Sequence, residues 1–261
     1  MISGLAAVAG SILAQKAAAK IEPTNWKRTN FAGNRTSLVG GLDAFAGLLA
    51  GSMFAGEERN AAIVATVSGA IAGYVDDHLE DSFPTAAKGF KGHLGEFRQG
   101  RVSSGLAKIA TIGAGSLIAA GIQASYKDRE VYETIMDAVT ISLSANLINL
   151  LDLRPGRARK AIMIVAGVPA AWGSQLARAS AGAAFAGIGP DLHGRTMLGD
   201  LGANALGAHL GVVLTEYPKK AKIPILAVLI ALNVVSEKVS FSRIIEQTPW
   251  LRSIDSLGRP A

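Results

Sequence analysis

Ala61-Ala62-Ile63-Val64-Ala65-Thr66-Val67-Ser68-Gly69-Ala70-Ile71-Ala72-Gly73-Tyr74-Val75-Asp76-Asp77 is an apolar run that ends in two acids. As a helix rising about 1.5 Å per residue, it is long enough to cross a bilayer core. A carboxylate costs roughly 2.5 to 3.5 kcal/mol at the centre of such a helix and less near its end. Acids kept at the boundary therefore suggest a charged ligand or a metal. The arrangement recurs in Asn146-Leu147-Ile148-Asn149-Leu150-Leu151-Asp152 and, at the start of a run, in Met197-Leu198-Gly199-Asp200-Leu201-Gly202.

The rest of the chain supports a membrane reading. Of 261 residues, 49% are hydrophobic, and mean hydropathy is +0.31. Those values fit one polytopic membrane domain, residues 1–261, better than a soluble one. Without cysteine there is no disulfide framework, thiolate metal site or cysteine nucleophile. The four histidines are too scattered for a zinc cluster. The net charge of +6 lies in short loops between apolar segments, which argues against nucleic acid as a partner and for membrane orientation. The N-terminus lacks a basic leader and a cleavage site, so it reads as a first transmembrane helix.

The expected fold class is all-α. Apolar stretches fall near 2–19, 37–55, 60–77, 105–125, 132–152, 160–174, 176–189, 199–216 and 222–238, about nine transmembrane helices. Pro169 and Gly189-Pro190 mark the sixth and seventh as short and interrupted. Lys and Arg concentrate in alternate loops, including Lys88, Lys91, Arg154, Arg157, Arg159, Lys160 and Lys238. That bias places the N-terminus outside, the C-terminus in the cytoplasm and all three acidic motifs on the cytoplasmic face of a plasma membrane. Residues 240–261, with Phe241, Ile244, Ile245, Trp250 and Leu251 among charges, read as an interfacial tail.

Each motif has a chemical reading and a plainer one. Asp76 and Asp77 can hold Mg2+ or deprotonate an attacking oxygen, or simply end a solvated helix. Lys88-Gly89-Phe90-Lys91-Gly92-His93 suits a flexible phosphate-binding loop, or ordinary positive-inside charge. Lys108 lies just inside an apolar run, where it must snorkel or meet an anion. Asn146, Asn149 and Asp152 share one helical stripe, able to bind a polar ligand or to hydrogen-bond between helices. Asp200 sits between Gly199 and Gly202 at a helix N-terminus, as an N-cap or beside a bound ligand. Asp43, Glu133 and Asp137 read as interhelical hydrogen bonders.

Taken together, these motifs resemble the polyprenyl-phosphate N-acetylhexosamine-1-phosphate transferase superfamily. Its members include the phospho-N-acetylmuramoyl-pentapeptide transferase of peptidoglycan synthesis and the N-acetylglucosamine-1-phosphate transferases. Asp76-Asp77 is similar to the family's paired aspartates, and Lys88 to Leu94 to the loop following them in the N-acetylglucosamine branch. Asn146 to Asp152 resembles its Asn-x-x-Asn-x-x-Asp motif. Met197 to Gly202 resembles Met-Gly-Asp-Ser/Thr-Gly with one residue inserted, and Thr36 to Gly41 loosely resembles Thr-Pro-x-x-Gly-Gly. The resemblance runs in order from Arg35 to Gly211.

It implies a reaction dependent on magnesium, or manganese in its place, in which a polyprenyl phosphate attacks the β-phosphate of a UDP-amino sugar and UMP leaves. By carry-over, Asp200 and Asp77 are metal residues, and Asp76, Asp77 and Asp152 are catalytic. Asn146, Asn149, Lys88, Lys91, His93, Lys108 and Arg154 are substrate-binding. Membrane lipids are further partners, and the sequence leaves a homodimer open. The chain also departs from the pattern. After Asp152 the family continues Gly-x-Asp-Gly, whereas here Leu153-Arg154-Pro155-Gly156-Arg157 follows. The family's late histidine loop has no counterpart near Lys238 to Arg252, and a tenth helix is missing. The second reading is therefore a homologue that binds polyprenyl lipids without turnover, as a partner or regulator in envelope assembly. An intramembrane prenyltransferase would need a second Asp-rich motif, and a transporter an internal repeat. That the tail completes the pocket, with Lys238 and Arg243 replacing the missing loop, is a hypothesis the sequence does not decide.

Overall fold

A helix satisfies its own backbone hydrogen bonds, and each of the nine expected apolar stretches closes into one. The computed structural model describes residues 1–21, 26–29, 33, 35–79 and 104–260. The helices are α1 (Ile2–Ile21), α2 (Val39–Ser52), α3 (Arg59–Leu79), α4 (Ser104–Lys127), α5 (Val131–Leu151), α6 (Arg157–Ala171), α7 (Gln175–Ala186), α8 (Ile188–Leu192), α9 (Gly199–Leu214), α10 (Lys219–Ser236), α11 (Phe241–Gln247) and α12 (Pro249–Ser256). Helix α5 begins with a capping box, in which Glu133 accepts from the Glu130 amide at 3.2 Å. Ser174 caps α7 by accepting from the Ala177 amide. An antiparallel hairpin, β1 (Lys27–Thr29) and β2 (Arg35–Ser37), precedes α2 and is not foreseen by the apolar pattern.

Among the described residues, α1, α4 and α5 are long and apolar enough to cross a membrane. The α10–α11 pair passes the same test together, with a bend of 98° between its halves. Ala, Gly and Ser recur through the interior beside Leu38, Leu48, Ile141, Ile162 and Leu206, while Leu5, Leu13, Ile118, Ile135 and Val228 are each more than half exposed. Lipid is as apolar as leucine, so helices associate through small residues that admit close packing, and large side chains face outward.

Helix α9 is the axis of the bundle. Every one of its residues except Asp200 is buried, and it packs on α2, α3, α5 and α7. A Cβ on Gly69 would stand 2.6 Å from the Asn204 carbonyl oxygen, and one on Gly207 2.6 Å from the Ser144 carbonyl oxygen. A Cβ on Gly73 would overlap the Asp200 carbonyl. These close crossings bring the end of α3 to the start of α9.

Charged groups collect at both ends of the bundle. Lys108 lies near one end of α4, and Lys127, paired with Glu58 at 2.5 Å and also with Glu216, closes the other. Nineteen helical residues separate these lysines, about 29 Å at 1.5 Å per residue, close to a hydrocarbon core thickness. At the Lys127 end, Arg129 and Lys222 meet buried Asp137 at 2.5 and 2.9 Å. Asp137 is thus an ion-pair partner, and Glu133 meets Lys219 at 3.3 Å.

Candidate functional site

The Asp76-Asp77 pair divides its work by helical geometry. Asp77 turns toward α9, where Oδ1 accepts from the Asp200 amide at 3.2 Å and Oδ2 from the Leu201 amide at 2.9 Å. It thereby caps two otherwise unsatisfied N–H groups at a helix start. Gly199, at φ +60°, has the Asp77 carboxylate against its Cα, where a Cβ would stand 3.0 Å from Oδ2. Asp76 turns the other way, toward α4.

Lys108 joins the remaining groups. Its Nζ donates to Asp76 Oδ2 at 2.8 Å and to Asp200 Oδ2 at 2.5 Å, bridging α3, α4 and α9. Asn149 of α5 completes the cluster. In the amide orientation that satisfies both neighbours, its oxygen accepts from Lys108 Nζ at 3.0 Å and its nitrogen donates to Asp200 Oδ1 at 3.0 Å. Two carboxylate oxygens and an amide oxygen therefore converge on one positive centre. This is hard oxygen chemistry of the kind Mg2+ prefers, with the ammonium in the cation's place. Among the described residues, no three His, Cys, Asp or Glu side chains gather at one point. A metal here would draw on Asp76, Asp200 and the Asn149 amide, with water completing its shell.

A cleft of about 290 Å³ is lined by Thr29, Thr36, Asp152, Leu153, Arg154, Pro155, Asp191, Thr196 and Met197. Its walls are assembled by the hairpin. The Ser37 amide donates to Arg195 O at 3.1 Å, and the Met197 amide donates to Ser37 O at 2.9 Å. The Thr36–Gly41 and Met197–Gly202 motifs are thus direct neighbours. Thr36 Oγ1, Thr196 Oγ1 and Asp152 Oδ2 are buried with no hydrogen-bond partner among the described residues. An unmet buried polar atom costs about 1–3 kcal/mol, so three around one cleft point to a bound polar ligand or water. Burial, reinforced by nearby Asp191, pushes the Asp152 carboxyl well above the ordinary carboxylate range.

Arg159, fully buried, holds this end together. It donates to Asp43 Oδ1 at 2.9 Å, Gly40 O at 2.8 Å, Asp191 Oδ2 at 3.1 Å and Ala183 O at 3.1 Å. Asp191 also accepts from the Gly156 amide at 3.2 Å, fixing the turn after Asp152. The sequence shows Arg159 only as loop charge, and Asp191 only as the residue after Gly189-Pro190. A second unforeseen feature is an aromatic stack beside Asp77, in which His78 lies 4.5 Å from the Tyr74 ring and 4.6 Å from the Trp26 ring.

Of the anticipated residues, Asp76, Lys108, Asn149 and Asp200 come together, Asp77 supports them through the α9 backbone, and Asp152 and Arg154 line the cleft. Asn146 is engaged elsewhere, donating to Asn233 Oδ1 of α10 at 2.7 Å. Lys88, Lys91 and His93 lie outside the described residues. Behind the cleft residues Arg154 and Pro155, the tail residues Ser242, Glu246, Asp255 and Arg259 contact the Arg154–Lys160 segment. No protein-family model matches the chain, and no curated protein matches it.

Proposed function

We propose that the chain is a Mg2+-dependent polyprenyl-phosphate glycosyl-1-phosphate transferase, a short member of the superfamily its motifs resemble, acting in cell-envelope glycan synthesis. The observation that carries this reading is the convergence of Asp76, Asp200 and Asn149 on Lys108, beside a cleft with unmet polar atoms. In this reading the nine long stretches all traverse or enter the membrane, with the N-terminus outside and the site on the cytoplasmic face of the plasma membrane. The separation of the two charged ends of α4 by about 29 Å supports such a placement.

The donor's nucleotide end occupies the cleft, with its diphosphate toward Lys108. The lipid phosphate arrives from the membrane. Its oxygen forms a bond to the β-phosphorus as the bond from that phosphorus to the bridging oxygen breaks, and UMP departs. Both reactants are anionic, so charge neutralisation matters more than a strong base. Asp76, Asp200 and the Asn149 amide would hold Mg2+, which supplies that neutralisation when bound. Lys108 exchanges its carboxylate partners for phosphoryl oxygens. Asp77 keeps α9 in register, so that Asp200 stays aimed at the reacting groups.

The test is UMP release by purified protein in detergent with Mg2+, a polyprenyl phosphate and a panel of UDP-amino sugars, beside Asp200→Asn. Magnesium-dependent UMP from one donor, lost in the variant, is the expected result. Lys108 already bridges the two carboxylates, and this favours a second reading, a lipid-binding homologue without turnover. Polyprenyl phosphate binding with no UMP from any donor would select it.

A further inference from the structure

The segment after Asp152 is cationic where acids and glycines stand in the proteins it resembles, and the structure gives those cations partners. Arg157 and Lys160 are 5% and 9% exposed, a costly placement unless their charges are met. Both are met from the far end of the chain. Arg157 Nε and Nη2 donate to Asp255 Oδ1 and Oδ2 at 2.8 and 2.9 Å, and Nη1 donates to Ser242 Oγ at 2.8 Å. Lys160 Nζ donates to the backbone oxygens of Asp255 and Ile254 at 2.7 and 3.2 Å. Arg259 grips the same carboxylate from its other side at 2.9 and 3.1 Å, and its Nε donates to Pro155 O at 2.8 Å. Arg154 meets Glu246 at 2.7 Å.

Thus Arg154, Arg157 and Lys160 are tied to α11 and α12, and Pro155 to Arg259 just beyond them. Leu153, Arg154 and Pro155 are also one wall of the cleft that contains Asp152. The 98° bend after α10 is what returns the tail to that wall. We infer that residues 241–259 are a positioning element of the cleft, with Asp255 as the positioning residue that holds the Asp152–Pro155 wall for the nucleotide end of the donor. This rests on the transferase reading for the identity of the ligand, but not for the clamp itself. The carboxylate that meets this cationic segment comes from near the C-terminus, Asp255, and Arg157 is its anchor.

The test uses the full-length protein in detergent, with Asp255→Asn and Asp255→Glu. Hydrogen exchange is followed at residues 152–157 and at α9 as an internal control, and UMP release is titrated with the donor. Asp255→Asn is expected to speed exchange at 152–157 about tenfold, as loss of a buried charge partner implies. Exchange at α9 should not change. Donor KM should rise about tenfold with kcat within about twofold, as expected when binding and not chemistry is lost, and Asp255→Glu should recover most of it. Unchanged exchange at 152–157 overturns the inference, as does faster exchange with an unchanged donor KM. If the parent protein releases no UMP, the transferase reading and the donor role both fall, and exchange alone decides the clamp. Should Asp255→Asn not fold, Glu246→Gln, which loosens only the exposed Arg154 pair, is expected to raise donor KM about twofold; no change would count against the proposal.

Discussion

Replacing Lys108 with Met tests the central claim, that three oxygens at the end of the bundle form a cation site which the lysine occupies. The side chain is 13% exposed, and its partners Asp76 and Asp200 are 21% and 31% exposed. Removing one partner of a fully buried pair costs about 3–5 kcal/mol; with this much solvent contact, about 2–3 kcal/mol is the better expectation. For a chain of this size each kcal/mol moves the midpoint by about 2–4 °C, so Tm in EDTA should fall by about 4–12 °C. The variant leaves two carboxylates and an amide oxygen facing one another with nothing positive between them. Mg2+ should then stabilise it more than the parent, in which the ammonium competes for the same oxygens. At a concentration 100-fold above its Kd, the ion restores about 2.7 kcal/mol. The assay is thermal unfolding of detergent-purified protein in EDTA and across a Mg2+ titration, with Ca2+ for comparison. Adding Asp76→Asn to Lys108→Met should recover part of the EDTA loss by removing one of the two opposed charges. An unchanged Tm for Lys108→Met in EDTA, or equal stabilisation of parent and variant by Mg2+, would refute the reasoning.

Two further substitutions probe the frame. Gly73→Ala places a methyl group against the Asp200 carbonyl at the α3–α9 crossing, so overpacking should cost about 1–3 kcal/mol. Its thermal midpoint should drop, with UMP release falling further than stability alone explains, whereas the same change at Gly113, where a Cβ meets nothing, should leave both unaltered. Asp152→Asn tests the raised pKa of the cleft carboxyl. The parent's stability is fully present below the unfolded value of about 3.8, where both states are protonated, and declines as pH rises toward the higher folded value. The variant should therefore gain Tm over the parent at pH 8 in EDTA and lose that advantage near pH 4. An equal gain at both pH values would mean that the carboxyl is not charged at a cost in the fold.

The helices were legible in the chain because their signal is local. Apolar runs between basic loops locate the nine long helices among the described residues within a few positions, and acids at run boundaries are conspicuous because lipid makes them expensive. Asp76, Asp200, Asn149 and Lys108 could each be singled out in that way. Their mutual arrangement could not, since Lys108 lies 32 residues from Asp76 and 92 from Asp200. Only the packing of α3, α4 and α9 through Gly69, Gly73 and Gly207 turns four isolated polar residues into one cluster. Packing also separated the neighbours Asp76 and Asp77, because consecutive helical residues point about 100° apart and one of them met the start of α9. Asn146 went to α10 for the same reason: its stripe is shared with Asn149, but the neighbouring helix changes one turn along. Arg159 and Asp255 have no local signature, because a charge outside the long apolar runs is written the same way whether water or a distant opposite charge will meet it. Which segments become helices and where charge is tolerated can be read along the chain, through the cost of polar groups in an apolar surrounding. Which charges meet, and which wall the tail secures, was decided by tertiary packing, because those partners lie tens to about a hundred residues apart.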